Sequence, residues 1–484
     1  GKNIMKLKDN KIYRSIIIPI CIAMCMLGRF IPPINGLTSD AMGVIFIFLG
    51  SLILWLTIGI DWPSLLCIFS LGFLENFSFS KVFSSSFGNS TFIFLLFTFV
   101  CTYALSKTSL IKRVAIFFIN LKLAKKSDYW FTFLFLFSVL LLGLFISPSV
   151  LFVIILPILN EIFELANIQK DDRIAKALMM GLAFTVSISS GMTPIAHVFP
   201  ILAMNAANIT VSPIAYMGMA IPVGLITFLL MILMFRIFVK IPENKLNKVD
   251  VSILKKQLTK VDSKDVLTLA IFGFVILLWI IPSLLKNISP EFYNTINQYG
   301  TAMPPLLGTL LLCIIRVKGE PLCKIDEAFK KGVPWGSLIM CAATLVLGSA
   351  LTNDAVGIKS FLQTSLSPHL KSLPALCLLI IFVVWAAIQT NLSSNMVTAT
   401  LVATIAASII TSTTMSLNLN ATICLIGMMA SFAFATPPSM PHIAIAAGSD
   451  YCSTKDVLIY GSALMLISII VAVFIGYPIG SALL

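Results

Sequence analysis

The chain has 484 residues, 58% of them hydrophobic and only 11% charged, with a mean hydropathy of +1.01. A soluble domain does not carry that apolar fraction, so the composition reads as an all-α polytopic membrane protein. The net charge of +13 does not argue for nucleic acid, because the basic residues sit in short clusters between apolar runs, where they orient a chain against anionic lipid. Ten cysteines are scattered with no CxxC pair, mostly inside apolar runs, and imply neither a disulfide framework nor a metal.

The basic start (Lys2, Lys6, Lys8, Lys11, Arg14) leads into an apolar run with no small-residue cleavage site, so the first span is expected to stay. Hydropathy places spans at about 12–31, 41–60, 63–78 and 90–106, then at 173–207 and 212–238, and in the second half at 265–285, 300–316, 334–353, 420–449 and 456–481. Two uncharged stretches remain. Tyr129 to Asn160 is interrupted by Ile146-Ser147-Pro148-Ser149, and Leu373 to Thr411 by Gln389-Thr390-Asn391-Leu392-Ser393-Ser394-Asn395. Each is long for one span and short for two, with turn-forming residues midway, and reads as a re-entrant hairpin. A polar hairpin tip is tolerated at membrane depth only where protein or a cavity surrounds it, so the tips mark the expected site.

The basic loops at 107–126, 240–264 and 316–331 share the amino-terminal side if the hairpins do not cross. That gives eleven crossings, with the amino terminus cytoplasmic and the carboxyl terminus external.

The two halves repeat. Tyr103 to Lys112 parallels Ser349 to Lys359 with one gap, the first strongly basic and the second barely so, as an inverted-topology repeat requires. After each hairpin comes a span broken at a Thr-Pro pair, Gly191-Met192-Thr193-Pro194-Ile195-Ala196-His197 in the first half and Thr436-Pro437-Pro438-Ser439-Met440-Pro441-His442 in the second. Proline removes a donor and breaks the turn before it, so each span is expected to split into half-helices whose free ends form a site.

Between Lys176 and Arg236, and between Lys371 and Asp450, there is no Asp, Glu, Lys or Arg. A cationic substrate would find no partner in these stretches. An anion would meet free helix N-termini, serine and asparagine groups, with a co-bound sodium ion supplying positive charge. His197 and His442 follow the two breaks and are the candidate proton or charge sites; the plainer expectation is two neutral histidines bonded to local carbonyls. His369, in Ser367-Pro368-His369, is expected to be solvated in an external stretch.

Asn391 with Ser394-Asn395-Met396, then Ala435-Thr436-Pro437-Pro438, Ala447-Gly448-Ser449 and Lys455-Asp456, resemble the carboxyl half of the divalent anion:sodium symporter family. The likeness extends to the first half through Leu105 to Arg113, Leu156-Pro157-Ile158 and Thr193-Pro194. The resemblance implies a homodimeric elevator transporter of the cell membrane, carrying di- or tricarboxylates or sulfate with sodium and needing no other cofactor. It implies scaffold parts at 1–126 and 265–371, transport parts at 127–240 and 372–484, and a cytoplasmic linker at 241–264. Substrate binding falls on Ser147, Ser149, Thr193, Ser394, Asn395, Thr436 and Pro437, and sodium on Ser147, Ser149, Gly191, Asn391, Ser394, Asn395 and Ala435. The family carries Ser-Asn-Thr at both tips; here the first reads Ser147-Pro148-Ser149 and the second Ser394-Asn395-Met396. Alternatives are a sodium-independent or proton-linked exchanger, an anion channel, and an intramembrane hydrolase using Ser189 or Ser190 with His197.

Overall fold

The computed structural model describes residues 10–484 except 171, 196, 242–243, 371, 393 and 414–415. Lys2, Lys6 and Lys8, Ala196 of the first break and Ser393 of the second tip therefore lie outside the described residues.

Helices dominate, and the one described sheet is a two-residue hairpin pairing Arg316–Val317 with Glu320–Pro321. In chain order the main helices are α1 (Lys11–Leu27), α2 (Ser39–Thr57), α3 (Trp62–Leu71), α4 (Ser90–Ser106) and α5 (Leu110–Ile119). Then come α6 (Asp128–Gly143), α7 (Pro148–Leu165), α8 (Arg173–Met192), α9 (Phe199–Ala206) and α10 (Pro213–Met234). The second half supplies α11 (Ser263–Leu284), α12 (Met303–Ile314), α13 (Trp335–Thr352), α14 (Ile358–Leu370), α15 (Ala375–Leu392), α16 (Asn395–Ser412), α17 (Leu419–Ser431), α18 (Pro441–Gly448) and α19 (Thr454–Val471). Among the described residues ten helices are long and apolar enough to cross a membrane. The number is eleven if the short helix Phe79–Ser85 and α4, bent by 44° at their junction, form one span.

From α4 to α10 and from α13 to α19 the same order runs twice: a span, a shorter helix, a hairpin, a broken helix and a long closing helix. Local chemistry sets the breaks. Pro148 opens α7 and Pro441 opens α18, where a missing N–H costs nothing, while Thr193 leaves α8 in extended conformation and Thr436, in the segment beyond the end of α17, is extended too. Polar side chains cap several starts: Ser127 accepts from the amide of Trp130, Asn418 from that of Ala421, and Ser453 shares a reciprocal capping box with Asp456.

Several expectations need adjustment. The span placed at 63–78 is the ten-residue α3, and that at 300–316 is the twelve-residue α12. The first hairpin is longer than its uncharged stretch, because α7 runs on to Leu165 through Glu161 and Glu164 at its far end. With 16 to 18 residues, each hairpin arm reaches about 24–27 Å. Length alone thus gives three of these four arms the look of spans, and it is the shared cavity at the tips that sets them apart. Hydropathy also passed over α5 and α14, which are amphipathic. His369 belongs to the last turn of α14 and is exposed, in keeping with the solvated reading.

Packing divides the helices into two groups. In one, α1 lies on α2, α3 on α13, and α4 on α11 and α12; in the other, α8 contacts both arms of the first hairpin, α10 and α17, while α17 contacts both arms of the second. Helices α5 and α14 bridge them, α5 against the first hairpin and α14 against α16. The groups approach most closely where α9 crosses α13: a Cβ at Gly348 would collide with the carbonyl oxygen of Asn205.

The loop after α10 is tied down. Asp128, fully buried at the start of α6, accepts from the backbone amides of Lys245, Leu246 and Asn247 at 2.8–3.2 Å. Lys245 also pairs with Asp172 at 2.7 Å, while Arg113 of α5 donates to the carbonyl of Thr259.

Candidate functional site

A cavity of about 1190 Å³ lies between the two groups. The first hairpin contributes Ser147, Pro148, Ser149 and Val150, and the second Gln389, Leu392, Ser394, Asn395 and Met396. His197, Val198 and Phe199 come from the first break, and Ser439, Met440, Pro441 and His442 from the second. The opposite wall is Trp55 to Thr57, Gly59, Ile60, Phe99, Lys331 to Pro334 and Ser337, with Tyr13 beside it. Two hairpin tips and two helix breaks, some 250 residues apart in sequence, thus converge on one space.

Of the residues singled out from sequence, Ser147, Ser149, Ser394, Asn395, His197 and His442 line it. Thr193, Gly191, Asn391, Ala435, Thr436 and Pro437 do not; they form the layer that holds the lining in place. The Thr193 hydroxyl donates to the carbonyl of Leu144 at 2.7 Å and takes the amide of Ile195 at 3.2 Å. In the second half the Thr436 hydroxyl donates to the carbonyl of Asn391. The Asn391 side-chain oxygen accepts the amides of Phe434 and Ala435, both at 2.8 Å, and its nitrogen donates to Ala387 at 2.7 Å. That one buried side chain pins the unwound segment to the hairpin. The Gly191 carbonyl accepts from the hydroxyl of Tyr216.

The tips differ chemically. Ser394 caps α16 through a long bond from the Val397 amide, 3.4 Å, whereas the Ser147 hydroxyl makes no capping bond to α7. Asn395 donates to the carbonyl of Thr390 at 3.2 Å and its hydroxyl at 2.7 Å; the carbonyl can only accept, which fixes the amide orientation. Its oxygen takes no hydrogen bond from the described residues. Pro148 stands where the second tip has Asn395, so the first turn of α7 offers the amides of Ser149 and Val150, and that of α16 those of Asn395 and Met396. Two helix N-termini with unused donors face one cavity, an arrangement that favours negative charge.

Both histidines hold local partners. His197 Nε2 donates to the carbonyl of Gly143 at 2.7 Å. His442 Nε2 lies 2.7 Å from the Ser187 hydroxyl, which itself donates to the carbonyl of Ala433 at 2.9 Å, so the ring carries its proton on Nε2. The hydroxyls of Ser189 and Ser190 bond back to the carbonyls of Val186 and Ser187 in their own helix.

Sequence reasoning missed Lys331. Counting charges only in the uncharged stretches hid a cation that enters from the opposite wall, at the end of a basic loop. Lys331 is the one permanently charged side chain lining the cavity, and no Asp or Glu does so among the described residues. Ser337 was likewise unremarked, and Ser439 entered only as part of the second break motif.

The family model described as the sodium:sulfate symporter transmembrane region matches residues 10–484. The chain belongs to the sodium:sulfate symporter family. It is a membrane transporter and not an enzyme, and the kinship is the one expected from Ser394-Asn395 and the two Thr-Pro breaks. Among its relatives within reach of sequence comparison is the sodium-dependent dicarboxylate transporter SdcS of Staphylococcus saprophyticus, 22% identical over 414 residues that cover 81% of this chain and 77% of the relative. Another is the uncharacterized transporter C3B8.04c of Schizosaccharomyces pombe, 24% identical over 416 residues covering 84% of this chain but 44% of the yeast protein.

Proposed function

We propose that this member of the sodium:sulfate symporter family is a secondary active transporter that moves a small organic anion, a di- or tricarboxylate in the first instance, with sodium as the coupling ion. The observation that carries the reading is the meeting of two hairpin tips and two helix N-termini in one cavity with no carboxylate lining it among the described residues. The name of the staphylococcal relative, a sodium-dependent dicarboxylate transporter, supports both the substrate class and the ion. Neutral oxygens at the tips, from Ser147, Ser149, Ser394 and Asn395, suit sodium, and the fixed dipoles of α7 and α16 suit an anion. Thr193, Thr436, Pro437, Gly191, Asn391 and Ala435 act in this reading by shaping the site from behind, with backbone oxygens available to sodium.

The repeated helix order supports an inverted repeat, with the group holding both hairpins moving as an elevator past α1–α4 and α11–α13 in a homodimer of the cell membrane. The basic loops support an amino terminus in the cytoplasm and a carboxyl terminus outside. Purified protein in proteoliposomes, given labelled dicarboxylate, tricarboxylate and sulfate in sodium or in choline, tests the reading. Saturable uptake of one of these dianions that needs sodium is expected. Sodium-independent counterflow would make the protein an exchanger, non-saturable flux a channel, and movement of none of them would end the proposal.

A further inference from the structure

Lys331 sits at the rim of the cavity on the wall opposite the hairpins, in a π-helical turn over Ala328–Gly332. That turn is rigidly placed. The Val333 amide closes it onto the carbonyl of Ala328 at 3.1 Å, the Trp335 indole donates to the carbonyl of Phe329 at 2.6 Å, and a Cβ at Gly332 would meet the Tyr103 side chain at 2.5 Å. The nearby carboxylate is already engaged: Glu327 accepts from the Lys107 ammonium and the Tyr103 hydroxyl, each at 2.7 Å. Lys331 makes no ion pair among the described residues. Its charge therefore faces the cavity uncompensated by a contact, with the same sign as the α7 and α16 helix ends across from it.

We propose that Lys331 is a specificity-determining residue that draws dianions into the cavity from one face of the membrane only. The proposal rests on the anion-transport reading above and adds a direction to it. The hairpin tips and helix breaks carry the binding groups, whereas Lys331 belongs to the group packed around α3, α4 and α13. When the binding groups turn to the other face they leave Lys331 behind. Attraction by this cation thus acts on substrate entering or leaving on the side of Tyr13 and residues 331–334, and not on the opposite side. A dianion gains twice the attraction of a monoanion, so the same residue sharpens the choice between them.

Membrane vesicles of both orientations, prepared from cells expressing the full chain, test this with Lys331→Gln, Lys331→Arg and the exposed neighbour Lys330→Gln. At low ionic strength Lys331→Gln is expected to raise the dianion KM about three- to tenfold in the vesicles that present the Lys331 face, with the maximal rate little changed, and the effect should shrink as salt is added. Lys331→Arg should restore the KM, and Lys330→Gln should leave it alone. Equal effects at both faces, equal effects of Lys330→Gln, or an unchanged KM in Lys331→Gln would each overturn the proposal. Failure of the wild type to move any dianion would instead defeat the transport reading itself.

Discussion

Thr193 and Thr436 make the same bond in the two halves of the chain: each hydroxyl donates to a carbonyl at the end of the first helix of the neighbouring hairpin, Leu144 in one case and Asn391 in the other. Each threonine is followed by proline and lies in a break, Thr193 directly after α8 and Thr436 a few residues beyond the end of α17, so the break itself is tied to a tip. The bond satisfies a carbonyl that has no helical partner and fixes the distance between the break and the tip, the two features that build the cavity.

Replacing either threonine by valine keeps the shape and removes the donor. A buried carbonyl left without its partner costs about 1–3 kcal/mol, and both variants should melt lower than wild type in detergent and take up substrate more slowly. Because the two bonds correspond, the losses should be similar. A Thr193→Val protein with wild-type melting and uptake would show that the tie does not matter.

Asn391 and Asn395 separate support from contact. Asn391 is buried with both ends engaged, and Asn391→Ala orphans the amides of Phe434 and Ala435, so a stability loss of about 2 kcal/mol or more is expected, read as a lowered melting temperature. Asn395 is half-buried at the cavity edge, and Asn395→Ala should lose most uptake while melting closer to wild type. Reversal of that order would exchange the two roles.

Ser147→Ala and Ser394→Ala divide in the same way. Ser394 caps its helix and Ser147 does not, so loss of the Ser394 hydroxyl should cost up to about 1 kcal/mol of stability, whereas Ser147→Ala should leave melting unchanged. Both should raise the sodium concentration needed for half-maximal uptake. If neither shifts the sodium dependence, the tip hydroxyls do not hold the ion.

The two tips and breaks were legible in the sequence because polar and proline residues stand out in long uncharged runs. Ser147, Ser394, Asn395, His197 and His442 reach the cavity for that reason. The supporting layer was legible only as motif: nothing in the order of residues says that Asn391 turns back to pin Phe434 and Ala435, since that bond spans 43 and 44 positions. Lys331 was hidden because it lies in a basic loop, where lysine is ordinary, and only packing brings it to the rim. The amphipathic α5 and α14 escaped a reading based on spans because they are short, ten and thirteen residues, and are interrupted by polar side chains such as Lys112 and Arg113 in α5.

At Gly348 close packing sets a further test. A side chain there runs into the Asn205 carbonyl, a backbone atom with no freedom to swing away. Gly348→Val should therefore separate α9 from α13 and destabilise the protein by about 1–3 kcal/mol, with uptake reduced because this contact lies between the two helix groups. Wild-type melting of Gly348→Val would mean that α9 and α13 do not approach so closely.

The pH dependence of transport identifies the coupling ion. Outside the spans, Lys107 and then Tyr103 hold the Glu327 carboxyl down to about 2, and Lys245 lowers that of Asp172. For such depressed carboxylates the stabilisation is complete above the ordinary carboxylate range and is lost only as pH falls toward the lowered value, so neither titrates between pH 5 and 8. Histidine is the side chain whose ordinary range falls in this window, so for a dianion ionised throughout it the histidines are the groups to test. His369 is exposed at the end of α14, away from the cavity, and serves as the control. His197 donates to a backbone carbonyl and His442 to a serine oxygen, contacts that a neutral ring already satisfies. Sodium coupling therefore predicts a flat uptake profile from pH 5 to 8, the same in His369→Gln, with affinity that rises with sodium at every pH. A profile that steepens toward acid and is flattened by His197→Gln or His442→Gln, but not by His369→Gln, would assign the coupling to a proton instead.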